Sequence, residues 1–135
     1  MNNSIGIVLV DDNDLDLMIG ERLISVVNPG VKVETFNCGD ELFDWLSGKD
    51  HACIAKKVIF FIDIYMPKVN GFMVAEKASK ILKAKGCDAE CYLLSATIDD
   101  SDLRKIKDHP LIAGFIGKPI TKEVLFSVVE NFSLA

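Results

Sequence analysis

Five polar residues have side chains that could together bind a cation and a phosphoryl group. Each follows the end of a short apolar segment; they are Asp11, Asp12, Asp63, Ser95 and Lys118. If their three carboxylates converge, they repel one another strongly at low effective dielectric, so the group must hold either protons or a cation. Only hard oxygen donors are present, and such sparse oxygen ligation suits Mg²⁺ better than zinc.

The remaining two side chains suggest what chemistry the cation would assist. Lys118 offers a mobile positive charge and Ser95 a hydroxyl donor, and both suit the oxygens of a phosphoryl group in transfer. A carboxylate can accept that group as an aspartyl phosphate. Asp63, which follows the most apolar segment of the chain, is therefore the candidate nucleophile.

Each residue also has a simpler interpretation. Asp11 and Asp12 precede a predicted helix, whose amino end favours negative charge by about 0.3–1 kcal/mol. Asp63 could be a turn residue at a strand end, and Lys118 a solvated loop charge. None of these interpretations explains the whole set.

Hydrophobic periodicity predicts the elements that must position these residues. Strands are predicted at 5–10, 31–36, 58–62, 91–94 and 113–117. Helices are predicted from 15 to 27, at 39–46, 71–84 and 99–108, and after residue 118 with Pro119 in the first turn. Strict alternation implies a doubly wound parallel sheet with helices on both faces, and functional groups collect at the carboxyl ends of its strands.

Composition limits the class of protein. The 135 residues suit one domain, 1–135. A net charge of −5 without a basic cluster argues against direct nucleic-acid binding, and no apolar run approaches the roughly 18 residues of a membrane span. The four cysteines, Cys38, Cys53, Cys87 and Cys91, lack the pairing of a zinc site, so free thiols in a reducing, cytoplasmic compartment are favoured over zinc or disulfides.

Several segments around these residues resemble the signature segments of a known family. They are VLVDDN at 8–13, FIDIYMP at 61–67 with Asn70-Gly71, LSA at 94–96 and GKP at 117–119. In order and spacing they resemble response-regulator receiver domains of two-component signalling, in particular single-domain, chemotaxis-type receivers. The fold expected is flavodoxin-like, a five-stranded parallel sheet of order 2-1-3-4-5 with five helices.

The resemblance implies roles for individual residues. Asp63 would accept a phosphoryl group from a histidine kinase or histidine phosphotransfer protein, and Lys118 and Ser95 would contact that group. Mg²⁺ would be bound by Asp11, Asp12, Asp63 and the backbone carbonyl of Tyr65. The protein would then be a signalling switch that promotes its own phosphorylation and dephosphorylation, not an enzyme acting on other molecules.

The resemblance also implies how the switch would operate. Ser95 would move toward the new phosphate, and Phe115 occupies an aromatic switch position where Tyr is frequent, so a hydroxyl-based readout is lost here. Tyr65 and Thr97 occupy positions that tune phosphate lifetime, and our hypothesis is that bulky Tyr65 slows hydrolysis.

No output domain is predicted after the last helix, so the chain would signal through a partner or would be a receiver cut from something larger. Receiver domains generally use the face of the fourth helix, fifth strand and fifth helix for targets or dimers. Ile112, Phe115 and Phe126 are expected to be partly exposed there, although core packing explains each of them equally well.

Three other functions fit parts of the pattern. A phosphohydrolase resembling haloacid dehalogenases would carry an acid two residues after the nucleophile, where this chain has Tyr65. A flavin-binding protein of the same architecture would want Gly, Ser and Thr in the first loop, which here is acidic. A receiver that signals without phosphate would not need the full five-residue set.

Overall fold

A computed structural model describes residues 5–48 and 55–134, which form five strands and five helices in alternation. The strands are β1 (Ile5–Val10), β2 (Lys32–Phe36), β3 (Lys57–Asp63), β4 (Asp88–Ser95) and β5 (Ile112–Gly117). The helices are α1 (Asp14–Val27), α2 (Gly39–Ser47), α3 (Gly71–Ala84), α4 (Asp100–Asp108) and α5 (Lys122–Leu134). Within those ranges none of the helices has the length and apolar character that crossing a bilayer requires.

The strands form one parallel sheet in the order β2-β1-β3-β4-β5. This order confirms the predicted flavodoxin-like fold. In the register of the sheet, Val10 lies beside Ile62, Asp63 beside Leu94, and Ser95 beside Gly117. The carboxyl ends of the four strands β1, β3, β4 and β5 therefore lie at one edge.

The central strands are buried on both faces, which explains their continuous apolar sequences. Alternate residues of β3 enter two separate cores: Phe60 packs with residues of α2, α3 and α4, whereas Phe61 packs with residues of α1 and α5. Both phenylalanines are fully buried. This burial on both faces fixes the position of β3 in the sheet, and with it the position of Asp63 at its carboxyl end.

Two predicted boundaries differ from the structure by more than one residue. The fourth strand begins at Asp88, three residues before the predicted start, because its first residues pair with Lys57 and the residues after it in β3; that pairing uses backbone groups and does not require apolar side chains. Pro119 does not lie in the first turn of the last helix, which begins at Lys122. The Thr121 hydroxyl accepts from the backbone N–H of Val124, so Thr121 caps the amino end of the helix.

The cysteines depart in part from the expectation of free thiols. Cys38 is free and exposed and Cys91 is free and buried. Burial raises the pKa of Cys91 to about 11, so its thiol is protonated at neutral pH. Cys87 is disulfide-bonded, so the expectation is wrong for that residue. Cys53 lies outside the described residues.

Candidate functional site

Backbone hydrogen bonds just beyond the strand ends bring the polar residues together. The N–H of Ile64 donates to the carbonyl of Leu94 at 3.0 Å, and the N–H of Lys118 donates to the carbonyl of Ser95 at 3.0 Å. The N–H of Asp11 donates to the carbonyl of Phe36 at 3.1 Å. The hydrogen bonds of the sheet thus continue one residue past β1, β3 and β5. All five predicted site residues lie at this edge.

Three of these residues form a cluster of carboxylates. One oxygen from each of Asp11, Asp12 and Asp63 lies within 4.8 Å of the others. Asp11 is 4% exposed and Asp63 7% exposed, whereas Asp12 is exposed to solvent. The cluster is therefore open on one side and buried on the other, as access by both a cation and a phosphoryl donor requires.

The ammonium group of Lys118 faces this cluster. Its Nζ lies 2.7 Å from a carboxylate oxygen of Asp11 and 3.7 Å from one of Asp63. Burial alone would lower the pKa of Lys118, but the hydrogen bond and charge of Asp11, with smaller effects of Asp63 and Asp16, raise it overall. Lys118 is therefore charged. Because its side chain is only 18% exposed and contacts carboxylates, the interpretation of it as a solvated loop charge is wrong.

The Asp63 carboxyl has an unusually high pKa. The pKa of Asp63 is raised from 3.8 to about 6, chiefly by burial and also by the charge of Asp11 and a hydrogen bond to Asp12, while the charge of Lys118 and the backbone N–H of Tyr65 oppose the rise. The single ammonium group of Lys118 does not compensate three carboxylates. The site therefore has an excess of negative charge that a divalent cation would neutralise.

A fourth carboxylate, which the sequence analysis did not single out, also contacts Lys118. The Nζ of Lys118 donates to Asp16 Oδ2 at 3.2 Å. Asp16 lies in the first turn of α1, where its N–H donates to the capping oxygen of Asn13 at 3.0 Å. Helical spacing from that cap could have placed Asp16 near the strand end, but only the fold brings it to Lys118, 102 residues away.

Ser95 is buried at the same edge, but its hydroxyl bonds locally. It donates to the backbone carbonyl of Thr97 and accepts from the Thr97 N–H at 3.2 Å. Among the described residues no hydrogen bond joins Ser95 to Asp63. Thr97 itself is exposed. The structure therefore brings Asp11, Asp12, Asp63 and Lys118 into contact and leaves Ser95 beside them, bound to its own loop.

The side chain of Tyr65 is bound to a helix. Its hydroxyl donates to Asp102 Oδ2 of α4 at 2.6 Å, and this hydrogen bond is the main reason that the pKa of Tyr65 is raised to about 12. The ring is 49% exposed. Tyr65 thus links the loop after Asp63 directly to α4, a contact that the sequence did not predict.

A glycine allows the loop after Asp63 to fold back on the strand. The N–H of Gly71 donates to the carbonyl of Ile64 at 2.8 Å, and Asn70 caps α3 by accepting from the N–H of Met73. A Cβ at position 71 would lie 2.7 Å from the backbone oxygen of Asp63 and 2.9 Å from the Cα of Ile64. Only glycine permits this approach.

The partial exposure expected for three residues of β5 and α5 is confirmed for two of them. Phe126 is 57% exposed, and Phe115 is half-buried against the core beneath α2, α3 and α4. Ile112 is only 6% exposed, so the expectation of partial exposure is wrong for it. Ile112 packs in the same core as Cys91, its partner in the sheet. Of the three residues expected at this surface, only Phe115 and Phe126 are therefore accessible.

Comparison with known proteins agrees with this fold. A profile described as the response regulator receiver domain matches residues 7–130. A response regulator receiver protein from Dyadobacter fermentans is similar in structure, with a TM-score of 0.79, 24% identity, and coverage of 96% of this chain and 98% of that one. A two-component response regulator from Cytophaga hutchinsonii gives a TM-score of 0.83 at 19% identity, over 98% and 99% of the two chains. A search of curated protein sequences found no significant match.

Proposed function

Because the chain belongs to the response regulator receiver domain family, we propose that it is a phosphorylation switch whose phosphoacceptor is Asp63. The phosphoryl group would come from a phosphohistidine on a histidine kinase or a histidine phosphotransfer protein. The observation that carries the proposal is the contact of Lys118 with two buried carboxylates, at 2.7 and 3.7 Å, beside a third that is open to solvent. That arrangement suits an acceptor and the charge that must stabilise its product.

In the proposed transfer, a carboxylate oxygen of Asp63 attacks the phosphorus of the donor. A P–O bond forms while the P–N bond to the donor histidine breaks, and the departing imidazole takes up a proton. The negative charge on the phosphoryl oxygens is stabilised by the Lys118 ammonium and by the Ser95 hydroxyl once it leaves Thr97. Only the ionised Asp63 can attack, and the positive charges of Lys118 and of a bound cation would favour that form.

The residues present fit a magnesium ion. Three carboxylate oxygens lie within 4.8 Å of one another, and burial and mutual repulsion already raise the pKa of one of them. Asp11, Asp12, Asp63 and the backbone carbonyl of Tyr65 would hold the ion, which when bound supplies positive charge at the phosphoryl oxygens.

The conformational change would begin at the hydrogen bonds between Ser95 and Thr97, which hold the loop before α4. If the Ser95 hydroxyl turns to a phosphoryl oxygen, its bond to the Thr97 carbonyl is lost, and the loop before α4 is free to move. Phe115, half-buried next to this region, could then move inward. These contacts supply the differential free energy that a population shift requires.

We place the output surface on α4, β5 and α5, with a target protein or a second receiver as the partner. Phe126 is its most exposed aromatic group. Phe126→Ser should leave phosphorylation unchanged and weaken phosphorylation-dependent association, measured by sedimentation with and without beryllium fluoride; unchanged association would contradict this choice of surface. The expected compartment is the cytoplasm, which cell fractionation would test.

The experiment that tests the function is incubation with acetyl phosphate and Mg²⁺, followed by intact mass measurement. We expect one phosphoryl adduct on the parent chain, loss of the adduct in Asp63→Ala, and loss when Mg²⁺ is removed by chelation. Asp40→Ala is the matched control, because Asp40 is an exposed carboxylate in the first turn of α2. An equal adduct on parent and Asp63→Ala, or none on the parent, would overturn the proposal.

A further inference from the structure

We propose that Asp16 is a positioning residue that holds the Lys118 ammonium on the α1 side of the site, in competition with the phosphoryl group. This inference rests on the proposed function, because it concerns the same lysine. It assigns Asp16 a role that opposes phosphorylation: Lys118 must be released from Asp16 before it can contact a phosphoryl group on Asp63.

The distances show where the lysine is held. Its Nζ lies 2.7 Å from Asp11 and 3.2 Å from Asp16, both within hydrogen-bonding range, but 3.7 Å from Asp63, which is too long for a hydrogen bond. An ammonium group has three donors. At least two are directed to carboxylates other than the acceptor, so the lysine is bound away from the place where it would act.

Asp16 differs from Asp11 in one respect that matters here. Asp11 belongs to the cluster of three carboxylates that could hold a cation, and Asp16 does not. A cation bound to Asp11 weakens the hold of Asp11 on Lys118, because the two positive charges then share one carboxylate. Asp16 keeps its full charge and becomes the main competitor of the phosphoryl group for the ammonium.

The local structure holds Asp16 in place while leaving room for Lys118 to move. The backbone N–H of Asp16 donates to the capping oxygen of Asn13, which fixes the backbone position from which its carboxylate reaches Lys118. Asp16 and Lys118 both line a cleft of about 340 Å³ between α1 and the segment after β5, where Ile19 and Pro119 are also found. The cleft therefore leaves space beside the ammonium into which it can move.

Binding of beryllium fluoride, an analogue of the phosphoryl group, tests the inference at saturating Mg²⁺. Asp16→Asn should bind it about two- to five-fold more tightly than the parent, the range expected for loss of one partly exposed ion pair. Asp14→Asn is the matched control, because Asp14 lies in the same helical turn, carries the same charge, is exposed, and is not among the ion-pair partners of Lys118. Its affinity should equal that of the parent.

Two further variants separate this role from a general effect on folding or charge. Asp16→Glu, which retains the carboxylate, should keep the parent affinity. In a Lys118→Gln background, Asp16→Asn should no longer change the affinity, because its effect acts through the lysine. Equal affinities for Asp16→Asn and Asp14→Asn, weaker binding by Asp16→Asn, or an effect that persists without Lys118 would overturn the inference.

The same experiment distinguishes failure of the inference about Asp16 from failure of the proposed function. If the parent binds beryllium fluoride and is phosphorylated on Asp63, but Asp16→Asn behaves as Asp14→Asn does, only the role of Asp16 is wrong. If the parent neither binds the analogue nor becomes phosphorylated, both proposals are wrong.

Discussion

The two halves of the candidate site differ in how complete they are. On the side of β1 and β3, Asp11, Asp63 and Lys118 already contact one another, and both carboxylates are buried. On the side of β4 and α4, Ser95 is bonded to Thr97 and Tyr65 to Asp102, so neither side chain is directed to the acceptor. We call these the acidic half and the readout half.

This difference separates chemistry from signalling. The acidic half is held by strands that are buried on both faces, so its carboxylates are already in place, and binding of a cation and a phosphoryl group would require only that the Lys118 ammonium move away from Asp16. The readout half is held by a few local hydrogen bonds: two between Ser95 and Thr97, worth about 0.5–1.5 kcal/mol each, and one from Tyr65 to the charged Asp102, worth about 1.5–3 kcal/mol. Bonds of that size can be exchanged for contacts with a phosphate, so the readout half is the part that can switch.

The largest effect is expected where the scaffold of the acidic half is broken. In Gly71→Ala the new methyl group would approach the backbone oxygen of Asp63 to 2.7 Å, and backbone atoms cannot move aside cheaply. We expect the free energy of unfolding to fall by about 1–3 kcal/mol, measured by denaturant titration. Gly117→Ala is the control, since a Cβ there meets nothing within 4 Å; equal losses in the two variants would contradict the close approach.

A somewhat smaller effect concerns the charge of the acidic half. The pKa of Asp63 is raised in the folded protein to about 6, so folding favours the protonated form, and the stability it contributes is lost as the pH rises from about 4 to 6. Asp63→Asn removes this loss. Without Mg²⁺, the variant should exceed the parent in free energy of unfolding by on the order of 2 kcal/mol at pH 7.5, and by little at pH 4.

The measurement is denaturant unfolding of both proteins across that pH range in the presence of a chelator. Saturating Mg²⁺ should reduce the advantage of the variant, because the cation stabilises the ionised parent. An advantage that does not change between pH 4 and 7.5 would show that burial and repulsion do not destabilise the Asp63 carboxylate.

The smallest effect is expected in the readout half. Our hypothesis is that Tyr65 slows hydrolysis of the aspartyl phosphate, and its bond to Asp102 restrains the ring beside the site. Tyr65→Asn, which loses both ring and bond, should shorten the phosphate lifetime several-fold, whereas Tyr65→Phe, which loses only the bond, should shorten it less. The decay of the intact-mass adduct measures this lifetime, and a Tyr65→Asn adduct that decays no faster than the parent's would refute shielding.

Much of the fold and of the acidic half could be predicted from the sequence. Alternating apolar segments and amphipathic helices predicted all ten elements in order, and the strand ends placed Asp11, Asp63 and Lys118 at one edge of the sheet. Errors fell where local pattern is a poor guide. The start of β4 depends on backbone pairing with β3, and the burial of Ile112 depends on which helices cover it.

Which residues lie at the edge of the sheet follows from the sequence alone, because a strand ends where its consecutive apolar residues end. Which of those residues become partners depends on how the helices pack on the sheet. The chain has 20 acidic residues, and its local pattern does not distinguish Asp16 as a partner of Lys118 or Asp102 as a partner of Tyr65. Those pairs join residues 102 and 37 positions apart, and they form because the packing of α1 and α4 on the sheet brings the side chains within hydrogen-bonding distance.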